Sequence, residues 1–252
     1  MSGHSKWATI KRQKGANDAR RGQIFTKVAR EITVAARQGG ADPEMNVRLR
    51  LAIDKARDNN MPMDNVERAI KRGVGTGDAH GGMEEVVYEG YGPGGAAVLL
   101  EAVTDNPTRT VSEIRNVFTK AGGNLGERGC VSWNFEPRGI VVVEASAKQA
   151  EELALMAIDA GADDFEVEDS HLEIRTSHDS FEQVRRAVEQ AGGRVVRAEL
   201  SRIPKTTLLL GAKEAAQTLR LMDRLEELDD VQHVYTSADF PDEVLEEYQQ
   251  AG

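Results

Sequence analysis

The sequence is short of the residues that would commit it to several large classes of protein. It holds one cysteine in 252 residues, Cys130, which excludes an internal disulfide and fits a reducing compartment. Beside Val131, Trp133 and Phe135, that cysteine reads as a small buried hydrophobe rather than a nucleophile. No run of about 18 apolar residues occurs, so nothing is expected to span a membrane. Before Gly40 there is also no continuous apolar core of the kind a signal peptide needs, and the expected location is the cytoplasm. The histidines (His4, His80, His171, His178, His233) are scattered, and none stands at metal-ligand spacing with Cys130 or a carboxylate. No serine-centred elbow or Cys/His pairing is present. Adjacent acids such as Asp163-Asp164, Glu226-Glu227 and Asp229-Asp230 read as solvated surface. No catalysis, metal or cofactor is expected.

Acid is scarce at one end only. Up to Gly40 the acids are Asp18 and Glu31, against Lys6, Lys11, Arg12, Lys14, Arg20, Arg21, Lys27, Arg30 and Arg37. Residues 1–75 carry sixteen Lys/Arg and eight Asp/Glu, a net of +8, although the whole chain stands at −10; the remainder is therefore at −18. A pI of 5.1 would argue against nucleic acid if charge were uniform, but here it conceals two opposite ends. A cationic arm on an anionic body calls for a polyanion, because neutralising phosphates releases condensed counterions. Residues 1–16 lack apolar periodicity and read as a mobile arm. Trp7 in that arm has no core to join and is either disordered or stacked on a partner, for which an unpaired base or a guanidinium would serve.

Helical periodicity begins at Asp18. Phe25, Val28, Ala29, Ile32 and Ala36 form one face, Arg20, Lys27, Arg30 and Arg37 lie opposite, and Gly39-Gly40 supplies the stop. Asp42-Pro43 reads as the cap of a second helix burying Met45, Leu49, Ala52, Ile53 and Ala56. Asp64 and Glu67 resemble a capping box for a short third helix. Asn65, Arg68 and Arg72 on that helix are possible base readers, although a short amphipathic helix is a weak recognition signal. Gly73–Gly82 reads as a flexible linker. Neither it nor Gly90-Tyr91-Gly92-Pro93-Gly94-Gly95 has the strand-then-helix context of a phosphate-cradling loop.

Beyond the linker, strands and helices alternate. Glu85–Glu89 and Ala96–Val103 read as strands, Asn106-Pro107 starts a helix through Ala121, and Cys130–Phe135 reads as a strand set off by Pro137-Arg138-Gly139. Strand 140–144, helix 148–160, strands 165–168 and 171–175, helix 180–190 and strand 195–200 give the order β-α-β-β-α-β, the ferredoxin-like arrangement. A strand at 208–210, a helix at 213–228 and a strand at 231–236 follow. The expected class is α+β: a basic three-helix domain with its arm and linker (1–80), then two ferredoxin-like domains. One is discontinuous (81–136 with 205–252), and the other is inserted in it (137–204).

Gly3-His4-Ser5-Lys6-Trp7, Asp18-Ala19-Arg20-Arg21-Gly22, Asn60-Met61-Pro62, Arg68-Ala69-Ile70-Lys71-Arg72-Gly73, Tyr88-Glu89-Gly90-Tyr91-Gly92-Pro93-Gly94-Gly95, Gly122-Gly123-Asn124-Leu125 and Asp229-Asp230-Val231-Gln232 resemble the YebC/PmpR family across essentially the whole chain. The resemblance implies three domains, no catalysis and DNA-binding regulation of transcription. Mitochondrial relatives look like translational activators, and some bacterial members like ribosome-associated factors. After Asp105-Asn106 the family commonly shows Arg-Asn-Arg, whereas this chain has Pro107-Thr108-Arg109, leaving Arg109 as the one basic residue there.

The reading is a non-enzymatic nucleic-acid-binding regulator of gene expression, with a monomer favoured. Its expected contacts are Lys6, Trp7, Lys11, Arg12, Lys14, Arg20, Arg21, Lys27, Arg30, Arg37 and Arg109. Duplex DNA in transcription and ribosomal or transfer RNA in translation both remain open as targets. A small-molecule module built on the paired ferredoxin-like domains would leave the arm without a role.

Overall fold

The fold is that of a computed structural model, which describes residues 18–75, 82–168 and 171–250, with residues 18–21, 147 and 168 described in their backbone only. The chain divides into two compact units. One runs to Asn134 and resumes at Pro204; the other is Phe135–Ile203.

The first unit opens with helices α1 (Asp18–Gly39), α2 (Val47–Asp58) and α3 (Met63–Gly73). Val28, Ile32 and Ala36 of α1 meet Leu49, Ala52, Ile53 and Ala56 of α2 and Val66 and Ala69 of α3 in one apolar core, the face that helical spacing marks out. The cap of α2 is Asn46, not Asp42. Its Oδ1 accepts from Leu49 N–H (3.0 Å), while its Nδ2 donates to the carbonyls of Ala35 (2.8 Å) and Gly40 (2.9 Å). One buried amide thus starts α2 and ties it to the end of α1. No side chain caps α3, whose cap position is Pro62. Gly73 belongs to α3 rather than to a linker: a Cβ there would stand 2.4 Å from the Thr33 carbonyl oxygen. The rest of the expected linker, 76–81, lies outside the described residues.

Strands β1 (Glu84–Tyr91) and β2 (Ala97–Thr104) form an antiparallel hairpin, followed by helix α4 (Pro107–Ala121) and the short β3 (Asn124–Leu125). Asn106 caps α4, its side chain accepting from Arg109 N–H at 3.1 Å, with Pro107 in the first turn as the sequence suggests. The sheet has the order β3-β1-β2-β9, with β9 at Val231–Thr236. The unit β2-α4-β3 therefore straddles β1, a split βαβ crossover. Helices α4 and α7 (Ala212–Glu226) pack together over Tyr88, Val98, Leu100, Ile114, Phe118, Leu219 and Met222. Helix α1 lies against β2 and β9. Residues 97–100 of β2 are all buried, so this strand reads as a continuous apolar run rather than an alternation. Leu208–Leu209 forms β8, which leaves the main sheet and pairs in parallel with β10 (Ala238–Asp239). Helix α8 (Asp242–Gln250), not foreseen from the sequence, adds Val244 and Leu245 to the core.

Of the expected strand Cys130–Phe135, only Phe135 is in a strand, and residues 130–134 are not. They form a loop ending in a single 3-10 turn, Ser132–Asn134, because their amides have another acceptor, described below. Pro137-Arg138-Gly139 does not separate two strands either. It lies within the continuous β4 (Phe135–Glu144).

In the second unit β4 is followed by α5 (Ala147–Asp159), β5 (Ala162–Glu168), β6 (His171–Thr176), α6 (Phe181–Gln190) and β7 (Arg194–Pro204). The sheet order β5-β6-β4-β7 is that of a ferredoxin-like βαββαβ unit. Val141 opposite Ile174 and Val143 opposite Leu172 fix the register and bury one face.

Candidate nucleic-acid interface

Of the expected contacts, Lys6, Trp7, Lys11, Arg12 and Lys14 lie outside the described residues, and Arg20 and Arg21 stand on the first turn of α1. The other four, Lys27, Arg30, Arg37 and Arg109, already have acceptors within the first unit. Lys27 Nζ donates to the Glu226 carbonyl at the end of α7. Arg30 Nη1 donates to the Asp229 carbonyl (2.5 Å) and to Asp230 Oδ1 (2.7 Å). Arg37 Nη1 donates to the Met83 carbonyl at 2.8 Å. The basic stripe of α1 thus points at the body of its own unit. Helical spacing predicts that stripe without saying what it faces.

Asp230 is where this docking converges. Its carboxylate takes Arg30 on Oδ1, and on Oδ2 it accepts from Arg109 Nη2 (2.7 Å), Thr110 Oγ1 (2.6 Å) and Thr104 Oγ1 (3.2 Å). The side chain is only 4% exposed. Burial would raise its pKa, but the Thr110 hydroxyl and the two guanidiniums hold it below the ordinary aspartate value. Arg109, also bonded to Asp105 at 2.9 Å, is held protonated by the same carboxylates. A second polar seam joins Arg48 of α2 to Glu85 of β1, with Gln38 of α1 bonded to both. Beside it, Lys55 bonds Glu31 at 3.0 Å. Burial alone would push the Glu31 carboxyl up, yet Lys55, with His233 and Arg48 nearby, holds it down at about 2.

On the third helix, Arg68 Nη2 donates to Asn65 Oδ1 at 2.5 Å, so two of the three possible base readers engage each other. Arg72 is exposed, with no ion pair among the described residues.

Sequence reasoning gave no role to Glu89. This strand residue is 3% exposed, and its carboxylate accepts three backbone N–H groups: Gly129 (2.7 Å), Val131 (2.8 Å) and Ser132 (2.8 Å). Burial would raise its pKa, and the backbone donors lower it further than burial raises it. A single acid between Tyr88 and Gly90, at the end of the strand that reads as buried, was the available signal. In the same region Cys130 is half-buried rather than fully buried, and burial with the nearby Glu89 and Glu127 carboxylates pushes its thiol pKa up, which disfavours the thiolate. Among the described residues no three His, Cys, Asp or Glu side chains converge as metal ligands, and no helix is long and apolar enough to cross a membrane.

Residues 5–76 match the TACO1/YebC protein N-terminal domain, and residues 83–238 match the TACO1/YebC second and third domain. A probable transcriptional regulatory protein of Dehalococcoides mccartyi is 54% identical over 249 residues, 98% of both chains. Another, from Pelotomaculum thermopropionicum, is 53% identical over 245 residues, 96% of this chain and 100% of its own. Among solved structures, the crystal structure of a conserved hypothetical protein, Aq1575, from Aquifex aeolicus superposes with a TM-score of 0.81 at 43% identity, covering 89% of this chain and 93% of that one. Matched by both domain descriptions and by relatives along nearly its whole length, the chain belongs to the TACO1/YebC family.

Proposed function

We propose that this protein is a non-enzymatic, nucleic-acid-binding regulator of gene expression, acting on DNA in transcription from within the cytoplasm, as a monomer. The observation that carries this reading is the division of the basic residues. Arg30 and Arg109 pair with the Asp230 carboxylate and Lys27 and Arg37 donate to backbone carbonyls of the same unit, whereas Lys6, Lys11, Arg12, Lys14, Arg20 and Arg21 precede them with Asp18 as their one neighbouring acid. Phosphate neutralisation is assigned to this leading group. Trp7 adds a stacking group, and Lys27, Arg30, Arg37 and Arg109 act by holding the helical domain on the sheet. The names of the relatives, probable transcriptional regulatory proteins, support the transcription reading. The arm's glycines and Trp7 also suit irregular RNA, which keeps a ribosomal or transfer RNA target as the second reading.

The test is a salt titration of binding to duplex DNA and to structured RNA. Removing Lys11, Arg12 and Lys14 together is expected to weaken binding on every sequence and to reduce the slope of log affinity against log salt by up to about three. Arg37→Ala is expected to leave the slope unchanged. An unaltered slope in the triple variant would move the phosphate site off the arm.

A further inference from the structure

Among its described residues the first unit carries a pair of exposed aromatic rings, Tyr91 and Trp133. Tyr91, the last residue of β1, is 39% exposed, and Trp133, in the 3-10 turn, is 67% exposed. Both are tied to one atom: Tyr91 Oη and Trp133 Nε1 each donate to the Cys130 carbonyl oxygen at 2.9 Å. Their polar groups are therefore spent on an internal acceptor, and what they offer outward is ring surface. The loop that positions them is itself fixed, since Glu89 accepts the N–H groups of Gly129, Val131 and Ser132 on either side of Cys130.

Two cations flank the pair. Arg128 is exposed in the same loop. Lys205 is exposed in the bend after β7, and its backbone is strapped to Asn134, the residue after Trp133: Lys205 N–H donates to the Asn134 carbonyl (2.7 Å), Thr206 N–H to Asn134 Oδ1 (3.0 Å), and Asn134 Nδ2 to the Thr206 carbonyl (2.9 Å). Neither side chain has an ion pair among the described residues, in contrast to the docked arginines of α1 and α4. One exposed acid, Glu127, adjoins Arg128.

We propose that Tyr91 and Trp133 form a stacking platform for the unpaired bases of single-stranded or looped nucleic acid, with Arg128 and Lys205 meeting the flanking phosphates. Fixed aromatic faces beside unneutralised cations are what sequence-tolerant single-strand binding requires. Ring faces with their N–H and O–H turned inward cannot read base edges, so the platform selects strandedness rather than sequence. Duplex DNA hides its base faces and does not engage it. The inference rests on the nucleic-acid reading above and adds a second contact to it.

The chain has two tryptophans, so a Trp7→Phe background leaves Trp133 as the sole indole reporter. Titration of that protein with a short oligouridylate is expected to quench its fluorescence saturably, and titration with a matched DNA duplex is not. Trp133→Leu is expected to weaken oligouridylate binding roughly 5- to 150-fold, the range of one base–aromatic stack. Duplex affinity is expected to be unchanged. Trp133→Phe restores part of the loss, and Arg128→Ala with Lys205→Ala lowers the salt slope by up to about two. Wild-type single-strand affinity in Trp133→Leu, alongside weakened binding in the Lys11, Arg12, Lys14 variant, would overturn the platform and leave the arm reading standing. If the unmodified protein binds no nucleic acid of either form, both fall. Equal losses on duplex and single strand in Trp133→Leu would also refute base stacking.

Discussion

Replacing Asp230 by alanine removes the acceptor on which α1, β2 and α4 converge. Breaking a buried ion pair by deleting one partner costs about 3–5 kcal/mol when the other charge is left stranded. Here the partners are not wholly stranded. Arg30 keeps the Asp229 carbonyl, Arg109 keeps Asp105 and is 44% exposed, and Thr110 keeps the Asn106 carbonyl. The expected loss is therefore about 2–4 kcal/mol, or roughly a 1 M fall in urea midpoint at an ordinary m-value. Fluorescence isolates the effect, because Trp7, Trp133 and all four tyrosines lie outside the inserted unit Phe135–Ile203. Asp229→Ala is the control: Asp229 is exposed, and Arg30 reaches it through the backbone carbonyl, which the substitution keeps. The pH dependence has a definite sign. A carboxyl whose folded pKa lies below its unfolded value of about 3.9 contributes fully above that pH and loses its contribution as pH falls through the folded value. The gap between wild type and Asp230→Ala should therefore narrow below about pH 4. A midpoint within about 0.2 M of that of Asp229→Ala would refute the hub.

Two glycines on the helical domain give opposite outcomes for one chemical change. Gly73→Ala drives a Cβ into the Thr33 carbonyl and is expected to destabilise by about 1–3 kcal/mol, whereas Gly22→Ala, with nothing within 4 Å, is expected to stabilise by about 0.5–1 kcal/mol; thermal unfolding of the two variants checks the signs. Glu89→Gln is expected to cost about 1–3 kcal/mol and to speed amide hydrogen exchange at Gly129, Val131 and Ser132, since an amide presents one acceptor oxygen where the carboxylate presents two. With its folded pKa lowered, wild-type Glu89 holds the loop above the ordinary glutamate pKa and releases it as pH falls through the folded value, so exchange corrected for intrinsic rates should become pH-dependent in acid in wild type but not in Glu89→Gln.

Much of the architecture was legible because its signals are local. Asn106-Pro107 caps α4, Val231–Thr236 is a strand as read, and the alternation through 140–200 carries the βαββαβ order. The misreadings occur where a distant group overrules the local pattern. Asn46 takes the cap from Asp42 because its amide also reaches Ala35 across the turn. The loop before β4 has strand-forming residues, but its amides are claimed by Glu89, some forty positions earlier in the chain. Gly73 reads as the first residue of a linker, and only the packing of α3 on α1 shows why a side chain would not fit.

The same limit applies to the charges, where it bears on function. A basic stripe opposite an apolar stripe is what a helix needs to lie on phosphate, and equally what it needs to lie on the acidic body of its own chain. Lys27, Arg30 and Arg37 take the second course. The sequence clue was Asp229-Asp230, which looks like one solvated pair and is two different residues. Asp229 is exposed, and Asp230 is buried at the start of an apolar strand, where an unneutralised carboxylate could not stay charged. A buried acid at the edge of a sheet demands cations from elsewhere in the fold, and the nearest basic helix supplies them. Net charge counted along the chain therefore overstates what is left for a ligand. The cations that matter for binding are those that remain after the protein's own buried acids have been satisfied.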